Sequence, residues 1–199
     1  LRDYLDMRPI SHGKVDKEGR QGVITGLAWT QVGGEILFIE TLMTKGTGKV
    51  TVTGQLGDVM KESSTIAISL VKSLYPEKEE LFRENDLHIH VPDGATPKDG
   101  PSAGITMTTA LASLVTGIPV TPEVAMTGEI SLQGDVKPIG GLPEKLMAAQ
   151  RAGVRRVFIP AENEEDLRDV PKEVLEELQI VPVRRAEEVL RALGLYGMK

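Results

Sequence analysis

A serine and a lysine are the residues of this chain best placed by type and spacing to do nucleophilic chemistry. Residues 97–104 read Pro97-Lys98-Asp99-Gly100-Pro101-Ser102-Ala103-Gly104. Pro101 suits the first turn of a helix, because its missing N–H is an orphan there and its φ is already helical. Residues 105–115 are apolar and helix-compatible, and Gly117 is a stop signal. The spacing therefore predicts a helix with Gly100 as its cap and Ser102 inside its first turn. Unpaired backbone N–H groups and the positive end of the helix dipole gather at that place. A serine held there has an oxyanion site built in beside it. The plainer alternative is a serine that caps the helix. With Pro101 in the first helical position, the cap would be Gly100 instead.

A serine nucleophile needs a base. The chain has no cysteine, which excludes a thiol nucleophile, and three histidines, His12, His88 and His90. The stretch Gly140-Gly141-Leu142-Pro143-Glu144-Lys145-Leu146-Met147-Ala148-Ala149-Gln150-Arg151-Ala152-Gly153 reads as a bounded helix, proline near its start and glycine past its end. Counting three, four and seven from Lys145 reaches Ala148, Ala149 and Ala152, a small apolar stripe of the kind that packs inward. A lysine desolvated on such a stripe gives up its proton more easily and can serve as a general base. The plainer alternative is a lysine snorkelling from the edge of an apolar face.

Other arrangements compete on residue types alone. His88 and His90 point to one side of a strand, and a carboxylate such as Asp99 could complete a metal site with them. Ser102, His90 and Asp99 could also form a Ser–His–Asp triad. Gly46-Thr47-Gly48-Lys49-Val50 has the look of a phosphate loop. The Walker pattern, however, wants glycine where Met43 stands and Ser or Thr where Val50 stands.

Longer runs carry a resemblance. His88-Ile89-His90-Val91-Pro92, then residues 94–104, then Ala125-Met126-Thr127-Gly128-Glu129-Ile130, then Gly140-Gly141-Leu142-Pro143-Glu144-Lys145 together strongly resemble the proteolytic domain of the Lon family. These are ATP-dependent Ser–Lys peptidases. The first half matches too, in Thr25-Gly26-Leu27-Ala28-Trp29-Thr30 and in residues 53–63, so the resemblance covers nearly the whole chain. It implies that Ser102 is the nucleophile, Lys145 its base, and Thr127 the hydroxyl that positions the lysine, with Glu129 assisting. It also implies that His88 and His90 lie near the active site in a supporting role, making structural or substrate-lining hydrogen bonds. Backbone N–H groups of Ser102 and of the loop at Asp99 and Gly100 would hold the oxyanion. No cofactor is expected in this stretch. ATP and magnesium would belong to an AAA+ ATPase region upstream, with residues 1–9 as the junction and 10–199 as the proteolytic domain. Unfolded or damaged polypeptides are the expected substrates, and a homohexameric ring in the cytoplasm the expected setting. The competing non-enzyme reading is a catalytically silent Lon-like scaffold or assembly domain. Such a domain would be expected to lack the Ser–Lys pair, which is present here.

Composition agrees. At 199 residues and 40% hydrophobic content the chain can bury an ample core as one domain. A net charge of −6 argues against nucleic acid as the main partner. The absence of cysteine fits a reducing compartment. The chain opens Leu1-Arg2-Asp3, charged from its second residue and without methionine, which reads as a piece of a longer protein with no signal peptide at this point. Residues 100–122 carry no charge, but their helical part is shorter than the ~20 residues a bilayer needs, so a buried core helix is expected rather than a membrane span.

The elements that must position the pair read as α/β (α+β), small sheets flanked by helices. Residues 23–30, 35–43 and 49–53 look like strands of a meander, turning at Gly33 and Gly34 and again at 45–48. Asp58 is the expected cap of a helix that carries Val59, Ile66, Leu70 and Leu74 on one side and is ended by Pro76. Leu87, Ile89 and Val91 alternate with the two histidines. A strand over 124–130, the lysine helix, strands over 156–160 and 180–183 and a last helix over 186–193 complete the layout. Residues 162–169 read as an acidic, solvated helix start without chemistry.

Overall fold

Side-chain alternation along β1 (Val23–Thr30) sends Ile24 to one face of a sheet and Leu27 to the other, and both are buried. That strand is the middle of a seven-stranded mixed sheet in a computed structural model that describes residues 14–30, 33–92 and 100–197. The strand order is β3-β4-β2-β1-β5-β8-β9. The members are β2 (Gly33–Lys45), β3 (Val50–Thr53), β4 (Asn85–His90), β5 (Val124–Met126), β8 (Arg156–Pro160) and β9 (Gln179–Val183). A two-stranded ribbon, β6 (Glu129–Ile130) and β7 (Val136–Lys137), stands apart from it. The helices are α1 (Asp58–Leu74), α2 (Glu79–Glu84), α3 (Gly104–Thr116), α4 (Leu142–Arg151), α5 (Lys172–Glu177) and α6 (Ala186–Ala192). The α/β class is as read from the sequence, with most strands gathered into one sheet.

Two cores sandwich that sheet. On one face Ile24, Met126 and Phe158 pack with Met107 and Leu111 of α3, Met60 and Val71 of α1, and Leu190 of α6. On the other, Leu27, Ala125, Val157 and Ile159 pack with Leu142, Leu146 and Ala149 of α4 and Val174 of α5. The predicted serine and lysine helices thus lie on opposite faces. Strands β1, β5, β8 and β9 run parallel. Their carboxyl ends share one edge, the place where open α/β sheets leave a crevice.

Several expectations need correction. β3 does not pair with β2: β4 lies between them, antiparallel to β2 and parallel to β3, so the first three strands are not a meander. The chain reaches β4 from β3 through α1 and α2, and helical crossovers return a strand parallel to its predecessor. Gly57, not Asp58, caps α1. Its buried face holds Met60, Ser63, Ser64, Ala67, Ile68, Leu70 and Val71, while Val59 is 43% exposed, because the small residues let α1 lie close against α3. Gly34 is not in the turn but within β2, paired with Trp29. The strand expected over 124–130 is broken at Thr127 and Gly128 into β5 and β6.

α3 is as expected, a core helix: eleven of its thirteen residues are buried. Gly117, at φ 73°, ends it in the left-handed conformation that glycine adopts without strain. No helix among the described residues is long and apolar enough to cross a membrane. The acidic stretch is a 3-10 segment (Ala161–Asp169) with one buried member, Asn163. Asn163 Oδ1 accepts from the Ile139 N–H at 2.9 Å and its Nδ2 donates to Ile139 O at 2.9 Å. That clamp fixes the chain just before α4 begins.

Candidate active site

Lys145 sits in the first turn of α4, one helical turn after Gly141. Gly141 is the cap at φ 71°, a left-handed conformation, and Pro143 lies in the first turn where its missing N–H is harmless. The Lys145 N–H donates to Gly141 O at 3.0 Å. The predicted stripe is buried as expected: Ala148, Ala149 and Ala152 all face inward, and Lys145 itself is 2% exposed. The lysine does not snorkel. Its Nζ donates to Thr127 Oγ1 at 3.2 Å, a bond enclosed by protein.

That environment favours the neutral amine. An ammonium has three N–H donors, and among the described residues no carboxylate pairs with Lys145 to offset its charge. Burial pushes Lys145 down from its ordinary 10.5 to about 8. Its place near the amino end of α4 works in the same direction, since the dipole end there is positive. A neutral amine donating one N–H to Thr127 keeps a lone pair free to take a proton.

Thr127 is 1% exposed and is the first residue beyond the carboxyl end of β5. Its N–H donates to Phe158 O at 3.2 Å, which prolongs the pairing with β8 and fixes the threonine in register. Gly128 follows. Its N–H donates to Ser102 O at 2.9 Å, and its carbonyl accepts from the Ile105 N–H at 3.0 Å. Two adjacent residues therefore join the pair: Thr127 holds the Lys145 side chain and Gly128 holds the Ser102 backbone. The serine backbone is held from one face of the sheet and the lysine side chain from the other, at two adjacent residues just past the end of β5.

Ser102 departs from its expected place in the helix. α3 starts at Gly104 with Ala103 as its cap residue, so Ser102 lies in a turn just before the helix and is not inside it. The Gly104 N–H closes that turn on Pro101 O at 3.2 Å. The cause is the tie to Gly128, which engages the Ser102 carbonyl outside the helical ladder. Gly104 is also pressed so close to Ile130 that a Cβ there would come within 2.9 Å of its nitrogen. The capping alternative does not hold either, since no side chain caps α3. Ser102 is half-buried. Gly100, half-buried at φ 123°, opens the turn in a conformation suited to glycine.

The remaining candidates stand elsewhere. Asp99 and His12 lie outside the described residues. His88 Nε2 and His90 Nδ1 both bond Thr53 Oγ1, at 2.8 and 2.7 Å, with their rings edge to face. One hydroxyl has a single proton, so it donates to one ring and accepts from the other, which fixes opposite roles for the two bonded nitrogens. β4 is three positions from β5 in the sheet, about 14 Å at the usual strand spacing. The structure brings neither described histidine to Thr127 or Lys145. Glu129 faces Lys137 across the β6–β7 ribbon and makes no ion pair with Lys145 among the described residues. No group of three or more metal-ligating side chains occurs among the described residues.

The phosphate-loop look-alike has a different occupant. Asp86 Oδ1 accepts the N–H of Thr47 at 3.0 Å and of Lys49 at 2.9 Å, and these bonds hold its carboxyl below the usual carboxylate range. The loop leads into β3, not into a helix. Its backbone donors bind the protein's own carboxylate, in the place a phosphate would take.

Comparison with known proteins adds an independent finding. Residues 1–195 match the family model of the Lon protease (S16) C-terminal proteolytic domain. The chain is 59% identical over 196 residues to the Lon protease of Clostridium beijerinckii (strain ATCC 51743 / NCIMB 8052), covering 98% of this chain and 25% of that one. It is 52% identical over 206 residues to the Lon protease of Erwinia amylovora, covering 100% and 26%. With the Lon protease of Methanosarcina barkeri (strain Fusaro / DSM 804) it shares 55% identity over 193 residues, covering 96% and 24%. The chain spans about a quarter of the length of these relatives.

Proposed function

The chain belongs to the family of the Lon protease C-terminal proteolytic domain, and from that premise we propose that it hydrolyses peptide bonds by a Ser102–Lys145 dyad. The observation that carries this reading is the buried Lys145 amine bonded to Thr127, next to the residue that holds Ser102.

Neutral Lys145 takes the proton from Ser102 Oγ as that oxygen attacks the peptide carbonyl. Thr127 accepts one N–H throughout, so the amine's lone pair stays aimed along one direction. The N–H groups of Gly104 and Ile105 already bond Pro101 O and Gly128 O. We assign the Ser102 N–H, with the turn at Gly100 beside it, as a donor for the tetrahedral oxyanion. The Lys145 ammonium next protonates the leaving amine. The acyl–enzyme remains on Ser102, and Lys145, neutral again, draws a proton from water for deacylation. His88, His90 and Glu129 take no proton in these steps and support the site at a distance. The silent-scaffold alternative is not favoured, because a scaffold has no use for a buried lysine amine that costs stability and is bonded to the residue next to the one holding Ser102.

The wider setting is also a proposal. The relatives' additional length suits an upstream AAA+ module that binds ATP and magnesium and feeds unfolded polypeptide to this domain. A homohexameric ring in the cytoplasm is the setting we infer for it. The direct test is cleavage of a short unstructured peptide by the parent, Ser102→Ala and Lys145→Ala. Both variants should lose turnover by at least about a hundredfold while remaining folded. Near-parent turnover in either would overturn the dyad.

A further inference from the structure

Gly34 stands where a strand should carry a side chain. Strand-interior glycine loses packing and costs backbone entropy, so its presence needs a cause. Conformation is not that cause, since Gly34 is absent from the residues with positive φ, unlike its neighbour Gly33. Space is. A Cβ on Gly34 would stand 2.1 Å from Glu144 O and 2.9 Å from Lys145 N, closer than real Cβ atoms approach anything. The first turn of α4 rests directly on bare strand backbone.

Two further contacts fix α4 at the same place. Trp29, the partner of Gly34 across β1 and β2, lies over Gly141, where a Cβ would come within 2.8 Å of its ring. At the other end of α4, Arg151 Nη2 donates to Gly34 O at 3.3 Å. The hairpin end thus touches the cap, the lysine turn and the last turn of one helix.

We propose that Gly34 is a positioning residue for Lys145: its missing side chain sets how deeply the first turn of α4 seats on β2, and so where the lysine amine meets Thr127 and Ser102. This rests on the Ser102–Lys145 reading above. A side chain at 34 must move the Glu144 carbonyl from 2.1 Å to at least 3.4 Å for an ordinary contact, a shift of about 1.3 Å or more in the first turn of α4. A shift of that size in a catalytic group costs up to about a hundredfold in rate. Substrate binding, which does not involve the buried face of α4, should be little changed.

Peptide hydrolysis by the parent, Gly34→Ala, Lys145→Ala and Val174→Ala tests this, with melting temperatures measured alongside. Val174 lies in the same core as α4 and reports plain destabilisation. Gly34→Ala is expected to lower kcat by about 10- to 100-fold with KM within about twofold, and to slow phosphonate labelling of Ser102 in proportion. Val174→Ala should keep the parent kcat at a comparable melting temperature. A Gly34→Ala kcat within twofold of the parent, or lowered no more than that of Val174→Ala, overturns the positioning role. Should Gly34→Ala not fold, Arg151→Ala decides: it releases the Gly34 carbonyl without adding volume. A two- to fivefold fall in kcat at constant KM supports the role, and parent kinetics overturn it. If parent turnover survives Lys145→Ala, the dyad falls and the positioning role with it. If turnover needs Lys145 but Gly34→Ala matches the parent, the positioning role falls alone.

Discussion

Replacing Lys145 should make the domain more stable at neutral pH while abolishing its activity. Burial moves the group from 10.5 to about 8, a difference worth about 3 kcal/mol of charged-state stability at about 1.4 kcal/mol per unit. The folded value lies below the unfolded one, so between pH 8 and 10.5 the unfolded chain binds the extra proton and stability rises with pH. Below about pH 8 both states are protonated and the full cost of the buried ammonium is present. Lys145→Met removes that cost and loses one hydrogen bond to Thr127, worth about 1 kcal/mol. The net gain at pH 6.5 is about 2 kcal/mol, shrinking above pH 8 and gone by about pH 10. Activity follows the same titration in the opposite sense. At pH 7 about a tenth of Lys145 is neutral, against about one part in three thousand for an ordinary lysine. Turnover of the parent should therefore climb about tenfold from pH 7 to a plateau above pH 9. Lys145→Arg cannot deprotonate and should be as inactive as Lys145→Met. Thermal melts from pH 6 to 10 and kcat over the same range check both limbs. A flat rate from pH 6 to 9, or a Lys145→Met protein less stable than the parent at pH 6.5, would refute the reasoning.

Other outcomes follow from the same site. Thr127→Val, which removes the oxygen that Lys145 donates to, should lower kcat about 10-fold or more, and Thr127→Ser should restore most of it; steady-state kinetics with a fluorogenic peptide show both. Chelation with EDTA should leave peptide cleavage within about twofold, because the proposed proton transfers use only side chains; loss of activity restored by zinc would point to metal chemistry. This stretch alone should cut short or loose chains and spare a stably folded protein, with ATP changing neither rate. ATP-stimulated degradation of a folded substrate, followed by gel, would contradict the assignment of ATP use to an upstream module.

Lys145 was legible because inward-facing stripes recur at three and four residues, and Ala148, Ala149 and Ala152 are too small to conceal it. The strands over 23–30 and 156–160 are legible for a different reason, since short runs rich in β-branched and aromatic residues and bounded by turn signals favour strands. Local spacing singles out Ser102 but puts it inside the helix, because its carbonyl pairs with Gly128, a contact reaching across the fold that spacing does not encode. The insertion of β4 between β2 and β3 was hidden for the same reason: pairing partners distant in sequence compete equally with near ones until the core forms. On α1 the apolar count favoured Val59, yet packing chose the face with Ser63 and Ala67, where small side chains admit α3. Gly34 and Asn163 carried no motif at all. The double glycine at 33 and 34 is the hint of a close approach, and local spacing reads it as a turn.

The most direct measurement is covalent labelling with a serine-directed phosphonate, followed by mapping of the adduct and its rate against pH. The dyad predicts a single adduct on Ser102, formed at a rate that rises with pH through about 8, abolished in Ser102→Ala, and reduced at least about a hundredfold in Lys145→Arg. An adduct on another residue, or full-rate labelling of Ser102 in Lys145→Arg, would contradict it.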